Sequence, residues 1–218
     1  MQVQAWIANL FHAAEHAWSQ RAGVGAVLDR LHAELGNLRH ALEWASQEPV
    51  DGARVTLGLR LSAASASSWR LRHDYYEGAL VIDRLLGMVD PWVTRGAGTP
   101  ASQAMIPADV LASARTQAMR VRAVSGMGKP PVWMRPILEE AIAFYRTTRD
   151  RKGEGRALLQ LGNYLDMRGD GGDEMIVTFR AAAQAATEAD DGVTRAFALC
   201  NIAYADLEPA RDRSGRSI

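Results

Sequence analysis

Cysteine is almost missing: Cys200 is the single one among 218 residues. One thiol cannot close a disulfide within the chain, and a cysteine-built zinc cluster needs more than one. So little cysteine fits a reducing compartment, which sets the expected location as cytoplasmic. An excess of one charge is missing too. The 25 Lys and Arg balance 25 Asp and Glu, for a formal net charge of zero. Without net charge there is no long-range pull toward nucleic acid or anionic lipid, so neither is an expected partner. No apolar run nears the roughly 18 residues that a bilayer span requires. The opening Met1-Gln2-Val3-Gln4-Ala5-Trp6 has neither the basic nor the apolar region of a signal peptide. Runs of β-branched residues are absent, which leaves a sheet without strands to build it. No histidine lies in the C-terminal half to serve Cys200 as a base, and no Ser/His/Asp set or carboxylate pair stands out. The chain reads as a non-enzyme with no cofactor and no metal.

What is present is helix. Apolar side chains recur every three or four residues, as in Leu28, Leu31, Leu35, Leu38, Leu42 and Ala45, which lays a seam along one helical face. The spacing predicts helices at about 3–19, 24–47, 52–71, 75–89, 108–126, 132–149, 153–168, 172–189 and 192–207, nine in all. Asp74 stands where an N-cap would start the fourth. Asp90-Pro91, Gly96 to Pro100 and Ile106-Pro107 break the pattern. The expected organisation is therefore an N-terminal helical region at 1–92 with two helix pairs, a loop at 93–107, repeats at 108–208 and a disordered tail at 209–218.

The second half repeats itself. Ala157-Leu158 and Leu161-Gly162 fall on Ala198-Leu199 and Ile202-Ala203, and the same offset carries Leu138 onto Phe179 and Ala141 onto Ala182. A period of about 40 residues marks stacked helix pairs, so the expected fold is all-α, an α-α superhelix of antiparallel pairs. Nine is an odd number. The last helix, with Phe197, Leu199 and Ile202, would then lack its second member. Those three residues are the expected oligomer contact, either because the chain is a fragment or because two copies meet there as a homodimer.

Two stretches carry a family resemblance. Leu31 to Trp44 has the pattern L-x-x-E-x-x-N-L-R-x-A-L-x-W, and Ile137 to Arg146 with Asp150 to Gly153 and Ala157 to Asn163 forms a looser repeat. They resemble the tetratricopeptide-like region of bacterial signal-transduction ATPases, many of LuxR type, that act as transcription regulators. Lys129-Pro130-Pro131 and Gly171-Gly172-Asp173 depart from the turn usual in such repeats. The resemblance implies a sensing arm that grips a protein or peptide. The chain holds no phosphate-cradling G-x-x-x-x-G-K-[ST] loop and no helix-turn-helix in basic surroundings.

In tetratricopeptide pairs the first helix lines the concave side. Anchoring that register on Leu161-Gly162 and stepping by the repeat offset in both directions places Arg115, Arg122, Arg156, Asn163 and Tyr204 in the groove. Guanidiniums beside an amide and a phenol suit an acidic peptide or other carboxylate, since each Arg fork binds two oxygens at once. The plainer reading makes these arginines solvated or internally paired. His12 and His16 share a helix face with metal-ligand spacing, but no third ligand is evident. Asp170, Asp173 and Glu174 lack the spacing of a calcium loop. Trp6, Trp18, Trp44, Trp69, Trp92 and Trp133 are spread evenly, as packing residues are. The favoured function is a protein-interaction or ligand-sensing module. The alternatives are a homo-oligomerisation scaffold and a small all-α enzyme.

Overall fold

The computed structural model describes residues 24–72, 74–90, 106–169 and 171–207. The expected helix at 3–19, with His12 and His16, lies outside them, as do 91–105 and the tail from 208. The described residues form eight α-helices and no strand: α1 (Val24–Ala45), α2 (Gly52–Arg72), α3 (Tyr75–Gly87), α4 (Ala108–Arg122), α5 (Met134–Thr147), α6 (Arg151–Arg168), α7 (Gly172–Glu188) and α8 (Gly192–Leu207). They fall into two compact units, Met1–Gly126 and Met127–Ile218.

That division corrects the sequence reading, which grouped the helix at 108 with the repeats. Instead α4 packs on α2 and α3 within the first unit. The reason is its burial: Val110, Leu111, Ala114, Ala118, Met119 and Val121 are all enclosed. A helix covered over so much of its circumference needs neighbours on more than one side. In the same unit Leu35, Leu38, Leu42 and Ala45 of α1 are buried, as the 3–4 spacing requires. Gly58 of α2 sits between Ala45 and Leu85. A Cβ there would lie 2.7 Å from the Ala45 methyl and 3.1 Å from Leu85, so glycine lets α1 and α3 both close on α2. Trp69 is buried against Gly78. Asp74 occupies the position before α3, but its carboxylate does not cap the helix. Trp44 is half-buried, with the Arg54 guanidinium 5.7 Å above its ring.

The second unit is built on consecutive packing of α5, α6, α7 and α8, with a further contact between α6 and α8. Short links at 148–150 and 189–191 join α5 to α6 and α7 to α8, tight enough to make each a helical hairpin. The two links have one geometry. Among the described residues, Arg149 and Asp190 are the non-glycine ones with positive φ, 59° and 52°. The following amides, Asp150 and Asp191, donate to the carbonyls of Tyr145 and Ala186. That is the kind of bond by which a left-handed residue closes a helix C-terminus. Each aspartate then caps the next helix. Asp150 Oδ1 accepts from the Gly153 amide at 2.9 Å and Asp191 Oδ1 from the Thr194 amide at 3.3 Å. The step that carries Arg149 onto Asp190 also carries Tyr145 onto Ala186, Gly153 onto Thr194 and the start of α6 at Arg151 onto the start of α8 at Gly192. It is the same step that carries Ala157 onto Ala198. The sequence period is thus a period of local structure.

Candidate functional site

The expected groove residues do not share one environment. Arg115 and Arg122 belong to the first unit and are each only 6% exposed. Arg115 donates from Nε to Asp90 Oδ2 at 2.8 Å, and the Asp90 side chain is wholly buried. Arg122 pairs with Asp83 of α3, and burial pushes its guanidinium below the ordinary arginine value. These two arginines therefore answer to carboxylates of their own unit. A buried guanidinium without one would be severely destabilising. The structure places them in the core, where the repeat frame had put them on an open face.

Arg156, Asn163 and Tyr204 belong to the second unit. Arg156 is half-buried on α6, and its Nε donates to Asp191 Oδ2 at 2.9 Å. Asp191 also takes the Thr194 hydroxyl at 2.9 Å. Burial alone would raise the Asp191 carboxyl; the Arg156 charge and hydrogen bond, with the two bonds from Thr194, outweigh it and hold the group below its ordinary value. Asn163 donates to Gln160 Oε1 at 3.1 Å and accepts from Asn201 Nδ2 at 2.9 Å. Those amides tie α6 to α8. Sequence reasoning missed Asn201, which stands 38 residues from its partner and off the register used to trace the groove.

A second knot of charge holds α5, α6 and α7 together. The buried Glu154 carboxylate accepts from Arg146 at 2.7 Å and from Arg151 at 2.6 Å, and Arg151 also reaches Glu188 at 2.9 Å. Burial again works against the charge on Glu154, and the two guanidiniums overcome it, so this carboxyl too lies below its ordinary value. Both depressed carboxyls give stability that is complete above their ordinary values of 4.5 and 3.8 and is lost as pH falls through the depressed ones. Chemical denaturation of the protein over that acid window should show the second unit weakening as pH falls. In Asp191→Asn with Glu154→Gln, part of that pH dependence should vanish. An unaltered acid profile in the double variant would contradict the assignment.

Glu174 pairs with Arg135 of α5 at 2.6 Å, Asp173 is exposed and Asp170 is not described. No cluster of three metal-ligating side chains occurs among the described residues. No described helix is long and apolar enough to cross a membrane. Cys200 is exposed.

Around it lies an exposed, largely apolar surface. Leu199 is 52% exposed, Phe197 44% and Tyr204 65%. Val193, Ala196, Cys200 and Ala203 are exposed beside them, while Ile202 is half-buried. Of the exposed residues from Gly192 to Tyr204, Arg195 alone is charged. The exposed side of α7 is more charged, with Asp173, Glu174, Arg180 and Glu188 beside exposed Val177. A helix that leaves a wide apolar stripe open is one whose packing is incomplete. The inward side of α8 is anchored by buried Ala198 and Thr194.

No family model, curated protein or solved structure matches this chain.

The repeat shows what an equivalent face does elsewhere in the unit. One period before Ala196, Leu199 and Ala203, on α6, stand Gly155, Leu158 and Gly162, and all three are buried. There α7 covers the two glycines. A Cβ on Gly162 would stand 2.3 Å from the Phe179 ring, and one on Gly155 would stand 3.1 Å from the Ala186 amide nitrogen. The open stripe of α8 is thus the counterpart of a surface that α6 hides beneath a helix.

Proposed function

We propose that this chain is a non-enzymatic protein-interaction module, and that its helix pairs continue as an α-α superhelix of the tetratricopeptide kind. In its narrower form the reading makes it the cytoplasmic regulatory arm of a bacterial transcription regulator. The observation that carries the proposal is the uncharged apolar stripe of α8, whose counterpart on α6 is a helix-binding surface. Recognition there works by shape and apolar burial, in the manner of a helix laid into a hydrophobic face. The charged side chains of the second unit support the same view: Arg156, Glu154, Arg151 and Asp191 are engaged in fastening helices to one another. The acidic-peptide groove is reduced to Arg156, which already carries Asp191, so apolar contact is the better-supported mode.

The test is a selection of displayed amphipathic helical peptides against the purified protein. Selected helices should lose at least an order of magnitude in affinity when Leu199→Glu is introduced, because a charge would be buried against apolar surface. They should be indifferent to Leu80→Glu, a change at an exposed apolar residue of the first unit. Failure to select any binder, or binders blind to Leu199, would defeat the proposal. The regulator reading adds that the adjoining coding sequence specifies a phosphate-binding loop upstream, and an upstream region without one sinks that part alone.

A further inference from the structure

We propose that Gly126-Met127-Gly128 is a hinge, at which the second unit re-aims as a body while both interiors stay intact. The two units divide between Gly126 and Met127. Both glycines are exposed, and both hold positive φ, 70° and 75°. A Cβ on either would meet no atom within 4 Å. That separates them from Gly58, Gly155 and Gly162, which make room for a packed neighbour. At 126 and 128 room is plentiful, so it is the left-handed backbone that calls for glycine. Glycine takes positive and negative φ about equally readily, so two of them around one residue make a soft joint.

The chain on each side of the joint is tied to its own unit. Before it, the amides of Ala123, Val124 and Ser125 donate to the carbonyls of Met119, Val121 and Arg122, at 2.8, 3.4 and 3.1 Å. The Ser125 hydroxyl adds a bond to the Arg122 carbonyl at 2.9 Å. Arg122 is itself buried and paired with Asp83 of α3. The hold of α4 on the chain therefore reaches Ser125, next to the first glycine. After the joint, the Lys129 ammonium donates to the Arg168 carbonyl at the end of α6, at 3.1 Å. Arg168 Nη1 reaches back to the Pro130 carbonyl at 3.5 Å, and the Met134 amide donates to the Pro131 carbonyl at 3.0 Å. Pro130 is buried, and the rings of Pro130 and Pro131 lock φ at both positions. Firm, soft and firm again is how a domain hinge is laid out, with a few residues at the ends of elements absorbing the change in φ and ψ. The apolar stripe of α8 belongs to the second unit and travels with it.

Pulsed electron paramagnetic resonance on the full 218-residue protein tests the proposal. Cys200→Ser removes the native thiol. Spin labels then go on Arg60→Cys of α2 and Ala143→Cys of α5, exposed positions in different units. A reference pair, Ala143→Cys with Gln184→Cys of α7, lies within the second unit. The distance distribution between units should be about twice as wide as the reference, or wider. Gly126→Val with Gly128→Val all but bars the left-handed region at both positions and stiffens the chain there. In that variant the distribution between units should shift and narrow by roughly half, with the reference unchanged. Amide exchange in α4 and α6, equal in parent and variant, establishes that both units remain folded. A distribution between units no wider than the reference would overturn the hinge. So would a wide one that ignores both substitutions. The readout involves no ligand, so it stands or falls apart from helix binding at Leu199.

Discussion

Asp90→Ala should cost the first unit about 3–5 kcal/mol, the penalty for stranding one member of a buried ion pair. The pair is Asp90 and Arg115, 25 residues apart in sequence, joined at 2.8 Å with side chains 0% and 7% exposed. Removing the carboxylate takes the 2.8 Å ion pair away from a guanidinium enclosed by α4 and its neighbours. The double change Asp90→Leu with Arg115→Met should recover most of the loss, because apolar side chains of similar volume avoid the desolvation altogether. Amide hydrogen exchange is the measurement that localises the effect. In Asp90→Ala the amides of α2, α3 and α4 should exchange faster, with those of α6 and α7 unchanged. Wild-type exchange rates in α4 would show that the pair contributes little.

Phe179→Ala should have a comparable effect on the second unit, about 3–5 kcal/mol for a large aromatic removed from a packed interior. The Phe179 side chain is among the largest fully buried in the described chain, and its ring lies on Gly162 of α6. The reciprocal change, Gly162→Val, should cost about 1–3 kcal/mol by overpacking. Because the two positions share one space, the double variant Gly162→Val with Phe179→Ala should be less destabilised than the sum of the singles. Denaturant titration followed by far-ultraviolet circular dichroism gives all three values. Strict additivity would mean that the ring and the glycine do not compete for volume.

The helices themselves were legible because side-chain spacing reports directly on the turn of an α-helix. Leu35, Leu38 and Leu42 were expected on one face of the second helix, and all three are buried. The repeat period was legible too, and its physical content proved to be the twin links at Arg149-Asp150 and Asp190-Asp191. What escaped the sequence was partnership. Stepping back one period from Arg156 reaches Arg115, but nothing in a helical register tells that Asp90 lies across from it. Ion pairs between helices are set by packing, and carboxylates 25 or 39 residues away carry no local signature. The same lack misplaced α4, whose spacing says helix without saying whose neighbour it is. Of the three residues expected as a contact on the last helix, Phe197 and Leu199 are exposed and Ile202 is half-buried, and the helix itself is paired with α7 in a hairpin. The Gly-to-Ala exchange at 155/196 and 162/203 was also written in the sequence, yet its meaning depends on knowing that Phe179 covers Gly162.

The twin links also bear on how fast the chain folds. Each is specified by residues close to one another in the chain, and helices α5 to α8 pack chiefly on their immediate neighbours in sequence. Assembly of this half needs few distant segments to find each other. A topology of such short loops closes quickly, on the microsecond-to-millisecond scale typical of helical domains rich in local contacts, so this region should acquire its shape as a nascent polypeptide almost as fast as it is made.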